Sequence, residues 1–142
     1  MPWKARLAVL AAALWWGSLS AIGFLAVPLL FANAPSAALA GNLAARIFSA
    51  QTWLSLGCGL VLLYAGRPQV TDEGDPVART PASSIAAWVL AGVILDLLVE
   101  FAAAPRIRAR ENLALWHGAG SAMFFGQWLC AGAALWKLAP RP

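Results

Sequence analysis

Two acidic residues inside an apolar segment are the side chains of this sequence best suited to chemistry. Asp96 and Glu100 stand one helical turn apart, so on a helix both carboxyl groups share a face with Gly92. A charge at the centre of a bilayer costs about 3 kcal/mol or more, so such groups face a bundle interior and pair with other polar groups. The two acids therefore predict an intramembrane polar site.

Basic, imidazole and hydroxyl side chains complete the candidate site. The predicted ligand-binding residues are Arg46, Asp96, Glu100, Arg106, Arg108, His117 and Ser121. The single histidine, His117, is the side chain of this sequence best able to exchange a proton or take a ligand. His117 and Glu100 are the candidate metal ligands, a pair that suits hard metals better than copper.

Other classes of chemistry find no support in the sequence. It contains no nucleophile–base–acid set, no glycine-rich phosphate loop and no zinc-protease motif, so an enzyme is not favoured. Cys58 and Cys130 lie far apart in apolar runs and are predicted to be small buried or lipid-facing thiols. No basic patch with interleaved aromatic residues is present, so nucleic acid is not a predicted partner.

The composition is that of a membrane protein. Hydrophobic residues make up 61% of the 142 residues and charged residues only 11%, whereas soluble domains contain about 25% charged residues. So few charges cannot cover a water-exposed surface. The lipid bilayer is therefore a predicted partner, and the cell membrane is the predicted location.

Four apolar segments are long enough to cross a bilayer, which takes about 20 helical residues. The predicted spans are residues 6–31, 45–65, 84–104 and 113–138. A hydrophilic segment rich in proline, glycine and acids, residues 66–83, separates two helical hairpins that show no recognisable repeat. The sequence predicts one all-α domain over residues 1–142, an integral membrane antiparallel four-helix bundle.

Several residues predict the ends and bends of these helices. The first apolar run is longer than the apolar part of a signal peptide and is interpreted as a signal-anchor helix. Pro28 is expected to kink it, Ser36 to cap a second helix that reaches residue 64, and Pro105 to end the third helix.

Small residues at every fourth position predict faces where helices pack closely. The first such face is Ala13, Gly17 and Ala21, and the second is Ala114, Gly118, Ala122 and Gly126, which continues to Cys130 and Ala134. These faces are also the predicted contacts of a homo-oligomer or of another membrane protein.

Gln51, Ser55 and Cys58 form a thin polar stripe on the second predicted span. These side chains are expected to hydrogen-bond to neighbouring helices.

The polar residues converge in one half of the bilayer. With a rise of ~1.5 Å per residue, Asp96 lies ~3 Å from the midplane, Glu100 ~9 Å, His117 ~10 Å and Arg46 ~13 Å, all on the same side. Depth favours an ion pair between Arg46 and Glu100, roofed by the arginine-rich turn after Pro105. Such a cluster could fasten the bundle or line a cavity for a ligand, an ion or a proton.

Three passages resemble a known family, the bacterial relatives of transmembrane protein 205. The passages are LWWGSLSAIGFLAVPLLF, LAARIFSAQTWLSLGCGLVLL and PRIRAR followed by LWHGAGS. The resemblance implies a four-helix membrane domain of unknown function near the copper-resistance-D-like superfamily, whose remoter members include a haem-linked protoporphyrinogen oxidase. The matching residues are Gly17, Gly23, Pro28, Phe31, Arg46, Phe48, Trp53, Pro105, Arg108, His117 and Gly118. The turn from the arginines to the histidine is shorter here than in that family.

Three hypotheses for the function stay open from the sequence. The first is a small membrane protein that binds or translocates a small molecule, a metal ion or a proton at the polar site. The second is a redox protein with haem or copper, although no cofactor is assigned by the residues themselves. The third is a scaffold or assembly factor that binds another membrane protein.

The basic residues at the span ends favour cytoplasmic termini. The inner segments would hold Lys4, Arg6, Arg67, Arg79, Lys137 and Arg141, and the outer segments Arg46, Arg106, Arg108 and Arg110. We predict that, in a chain without Cys58 and Cys130, an impermeant thiol reagent on intact cells labels Asn33→Cys and spares Asp75→Cys. The opposite labelling pattern would reverse the topology.

Overall fold

The computed structural model describes residues 2–66 and 81–139. Within these residues the chain forms four long helices packed antiparallel, which confirms the predicted all-α bundle. Helix α1 runs over Trp3–Asn33, α2 over Ala37–Ala65, and α4 over Leu113–Leu138. Helix α3 comprises Pro81–Leu98, a π-helical turn at Val99–Ala103, and Ala104–Arg108. Most of the predicted 66–83 loop, together with Asp75, lies outside the described residues.

Three helices in the described ranges are long and apolar enough to cross a membrane, namely Trp3–Asn33, Ala37–Ala65 and Ser84–Arg108. They mark the chain as a multi-pass membrane protein. Helix α4 has 26 residues, but His117, Ser121 and Gln127 make it more polar, and its crossing stays a prediction. Large apolar side chains face outward as lipid contact requires, with Trp53 72% and Phe101 70% exposed.

Ser36 caps α2 as expected, because its hydroxyl accepts a hydrogen bond from the Leu39 amide at 3.2 Å. Pro105, in contrast, does not end α3, and that expectation was wrong. A π-helical turn directly before it widens the helix, with the Ala104 amide bonding to the Val99 carbonyl five residues back. Because proline lacks an amide hydrogen and its ring crowds the preceding turn, this wider turn lets the helix continue to Arg108.

Helix α1 also has a π-helical turn before its proline, Pro28. Its π-helical turn, Ile22–Ala26, ends two residues before Pro28, just as Val99–Ala103 ends two residues before Pro105. Both sites carry the pattern Phe-x-Ala-x-Pro. Helices α1 and α3, the first helices of the two hairpins, therefore correspond in the position of the π-helical turn and the proline. This relationship was not recognised from the sequence alone.

The core is built around one tryptophan. Trp15 is fully buried, and Gly92 of α3 lies so close that an added Cβ would sit 2.7 Å from Trp15 Cη2 and 3.1 Å from Cys130 Cβ. Glycine at position 92 therefore lets α1, α3 and α4 meet. Cys58 and Cys130 are buried near this core, which is one of the two predicted placements.

The predicted seam of small residues on α4 was wrong over its first half. Ala114 and Ala122 are exposed, and a Cβ at Gly118 would meet nothing within 4 Å, whereas Gly126 packs against Leu95. The reason is geometric, since every fourth residue advances ~40° beyond a full turn and the stripe winds around the helix. The later residues of the predicted stripe, Gly126, Cys130 and Ala134, do face the bundle. Over the whole helix the bundle-facing residues also include Gly120, Phe124, Gln127 and Ala131.

The Ala13–Gly17–Ala21 face is also exposed rather than packed, and a Cβ at Gly17 would have no neighbour within 4 Å. Within the described bundle, α1 turns its Trp15 and Leu19 side inward instead. The close-packing role predicted for this face within one chain was therefore wrong.

We predict that Gly92→Val lowers the unfolding temperature of the purified protein in detergent. The added methyl groups would overlap the Trp15 ring, and overpacking of a core costs ~1–3 kcal/mol. Gly118→Val is the matched control and should leave the temperature nearly unchanged, because position 118 opens to free space. Equal effects at both positions would contradict this packing.

Candidate functional site

Polar side chains from all four helices meet in the bundle interior along one face of α2. Gln51, Thr52 and Ser55 of α2 are each at most 3% exposed. They hydrogen-bond to neighbouring helices, as the sequence predicted for Gln51 and Ser55. In a bilayer such groups must find partners inside the protein, because lipid offers none.

Ser55 and Gln51 together connect three helices. Ser55 Oγ accepts hydrogen bonds from Gln51 Nε2 of its own helix and from Gln127 Nε2 of α4, both at 3.1 Å. Gln51 Nε2 also donates to Ser18 Oγ of α1 at 3.0 Å. The Ser55 oxygen thus links α2 to α4, and Gln51 extends the network to α1.

Asp96 of α3 lies beside this network and is 3% exposed. Its Oδ1 lies 3.2 Å from Thr52 Oγ1, while its Oδ2 is buried with no hydrogen-bond partner among the described residues. The Gln127 amide lies near the same carboxyl, and one of its two hydrogens is donated to Ser55 Oγ at 3.1 Å. Within residues 2–66 and 81–139, Asp96 forms no ion pair.

Glu100 lies one turn further toward the end of α3 and is half-buried. Ser49 Oγ lies 3.0 Å from both of its carboxylate oxygens. The predicted ion pair with Arg46 was wrong for the described structure, in which the exposed Arg46 makes no ion pair with Glu100. Arg46 precedes Ser49 by three residues on α2, so its predicted level along the bundle was nearly correct, but its side chain is exposed on the outside.

The arginine-rich turn does not cover the acids. The Arg106 guanidinium stacks on the Trp116 ring at 4.5 Å and donates to the Ala102 carbonyl at 3.0 Å. Arg108 Nε donates to the Ala104 carbonyl at 3.3 Å. Both arginines therefore fold back onto the end of α3 and neighbouring α4.

His117 and Ser121 of α4 are exposed on the outside of the bundle. The predicted cluster that joins His117 to Glu100 and Arg46 is not formed among the described residues. A ligand role for the outward-facing residues of the predicted set stays a prediction. No group of three histidine, cysteine, aspartate or glutamate side chains that could hold a metal ion occurs in the described ranges.

Four residues of the hydrogen-bond network were not predicted from the sequence, namely Ser18, Ser49, Thr52 and Gln127. Gln127 carried a usable signal, because an amide in the middle of an apolar helix needs an internal partner. Thr52 directly follows Gln51 and faces a different neighbour, which spacing alone does not reveal. Serine residues such as Ser18 are too common in membrane helices to be recognised.

We predict that Ser55→Ala destabilises the bundle by ~1–3 kcal/mol, because two buried amides lose their shared acceptor. Unfolding of the purified protein with a denaturing detergent would measure the loss. Ser121→Ala is the matched control, since Ser121 is exposed on α4. Equal stability of the two variants would show that the network contributes nothing to the fold.

Comparison with known proteins gives one family match. A model of a domain of unknown function (DUF4149) matches residues 10–114, a range that includes most of α1, all of α2 and α3, and both acids. Neither the curated proteins nor the solved structures contain a match to the chain. Since the matched range is well over half of the sequence, the chain belongs to the DUF4149 family.

Proposed function

We propose that this protein binds and exchanges a small cation within the membrane, with a proton as the ligand and Asp96 as the binding group. The observation that carries this proposal is the buried Asp96 Oδ2, which has no partner among the described residues. A carboxylate with one unsatisfied oxygen is costly in an apolar bundle. A bound cation would neutralise it.

The geometry at Thr52 supports a proton on Asp96. The Thr52 hydroxyl lies 3.2 Å from both the Phe48 carbonyl and Asp96 Oδ1, yet it has one hydrogen to donate. If Asp96 carries a proton, it donates to Thr52 Oγ1 while Thr52 donates to Phe48. Loss of that proton would turn the Thr52 hydroxyl toward Asp96, so the two protonation states have two hydrogen-bond arrangements.

The geometry at Glu100 supports an ionised carboxylate. Ser49 Oγ is equidistant from its two oxygens at 3.0 Å, which suits one hydroxyl hydrogen shared by a delocalised negative charge. Glu100 is also more exposed than Asp96. We therefore assign Glu100 the role of passing protons between the membrane surface and Asp96.

The core next to the hydrogen-bond network supports proton binding from one side of the membrane rather than proton conduction through a single chain. The neighbouring core is apolar and closely packed, with Trp15, Leu19 and Val89 at 0% exposure. The position of the site agrees with a recurring feature of membrane transporters, in which corresponding interrupted helices of two halves flank the binding site. Here the interruptions precede Pro28 and Pro105, and Glu100 lies within the second.

The proposal also includes a relationship to a family beyond DUF4149. The motifs around Arg46, Arg108 and His117 support a relationship to the transmembrane protein 205 relatives, and hence to the copper-resistance-D-like superfamily. We also propose a homo-oligomer through the exposed Ala13–Gly17–Ala21 face. With cytoplasmic termini, Glu100 would exchange protons with the outer side of the cell membrane.

Infrared difference spectroscopy between acidic and alkaline buffers tests the proton site directly. We expect the protein in lipid to show the carbonyl band of a carboxylic acid, shifted in heavy water and lost at alkaline pH. Asp96→Asn should lack this band, because the amide keeps the size of the side chain but cannot exchange the acidic proton.

Glu111→Gln is the matched control, since it removes an exposed acid in the turn between α3 and α4. It should leave the buried-acid band intact. A band that disappears in Glu100→Gln instead of Asp96→Asn, or that never titrates, would overturn the proposal. A band suppressed by sodium or potassium at constant pH would show that a metal cation competes for the site.

A further inference from the structure

We infer that the groove between α1 and α4 is a binding site for an anionic glycerophospholipid. The groove lies on the outside of the bundle and is separate from the acids of α3. Its volume is ≈ 440 Å³, within the ~300–1,000 Å³ range of small-molecule sites. Trp16, Trp128, Trp136 and Lys137 are among its lining residues.

The aromatic wall of the groove is fixed before any ligand binds. Trp128 Nε1 donates to Ser20 Oγ of α1 at 2.8 Å, and the Trp128 ring stacks on Phe125 with centroids 5.5 Å apart. The Trp16 ring lies 5.8 Å from the Trp128 ring. A ligand that enters this groove therefore meets side chains that need little reordering, which favours affinity.

The floor of the groove exists because residue 132 is glycine. A Cβ at Gly132 would lie 2.9 Å from Trp16 Nε1, so the indole N–H of Trp16 lies directly over the backbone of α4. Within the described residues this N–H makes no hydrogen bond. The groove thus offers one hydrogen-bond donor between apolar walls, which suits an ester carbonyl of a lipid.

Charge at the mouth of the groove selects the headgroup. Lys137 is the charged residue among those that line it, and it lies exposed at the end of α4. Gly132 and Lys137 are five helical residues apart, or ~7–8 Å. A glycerophospholipid has the same order of groups, with a phosphate outermost, ester carbonyls below it and acyl chains deeper still.

The exposed Trp136 supports a position at the membrane interface, where tryptophan is enriched. Lys137 would then meet the phosphate and a second negative charge of an anionic headgroup. A zwitterionic headgroup offers the same phosphate with a neighbouring positive charge, so it should bind more weakly. The inference does not depend on the proton site at Asp96.

Native mass spectrometry of the full chain tests the site with two lipids of identical acyl chains, phosphatidylglycerol and phosphatidylcholine. We expect about a fivefold preference of the first bound lipid for phosphatidylglycerol, which corresponds to the roughly 1 kcal/mol contributed by one basic residue near an anionic lipid. Lys137→Gln should abolish the preference. Lys4→Gln is the matched control and should keep it, because Lys4 lies over the Tyr64 ring at 5.7 Å.

A second pair of variants tests the indole hydrogen bond. Trp16→Phe should reduce the binding of both lipids and keep their ratio, whereas Trp53→Phe, on the exposed side of α2, should change neither. A preference that survives Lys137→Gln would overturn the inference. Loss of the preference in Arg106→Gln instead would move the lipid site to the arginine-rich turn and would also overturn it.

Discussion

The structure depends on one requirement, that polar groups inside a membrane bundle find partners within the protein. The Ser55 hydroxyl meets that requirement for two amides at once and thereby fixes the relative rotation of α2 and α4. A change in that rotation would leave one amide buried without an acceptor, at a cost of ~1–3 kcal/mol. The small residues and the tryptophans can then pack because the helix faces are already aligned.

Asp96 and the Trp15 indole N–H are the exceptions to this rule among the described residues, and Asp96 is the more costly one because a carboxyl group can carry a charge. The same interior that satisfies Gln51 and Gln127 leaves Asp96 Oδ2 without a partner in the described structure. A residue kept only for stability would be replaced by an apolar side chain at little cost, since buried charged groups rarely add stability over packed apolar ones. The unsatisfied oxygen therefore supports the proposal that Asp96 binds a proton.

The sequence predicted the level of each residue along the bundle much better than the direction in which its side chain points. The four helices and the common depth of Arg46 and Glu100 follow from hydropathy and from the rise per residue. The direction of a side chain depends on helix rotation, which the neighbouring helices set. For this reason Ser49, not Arg46, reaches Glu100, and the four-residue stripe that begins at Ala114 winds away from the core. The π-helical turns were also beyond prediction, because a proline in a helix can end, kink or widen it.

Equivalent positions in the two hairpins show which residues the helix packing requires and which it does not. Counting back nine residues from Pro28 leads to Leu19, and the same count from Pro105 leads to Asp96, with 0% and 3% exposure respectively. Counting back five leads to Gly23, whose Cα packs under Phe124, and to Glu100, which meets Ser49. At these two positions the first hairpin has an apolar and a small residue, and the second hairpin has an acid at each. Since the bundle forms with Leu19 and Gly23 in the first hairpin, a helix of this kind does not require carboxyl groups there. The two acids of the second hairpin therefore lie at positions where this helix packing does not depend on a carboxyl group, and this agrees with the proposed proton site at Asp96.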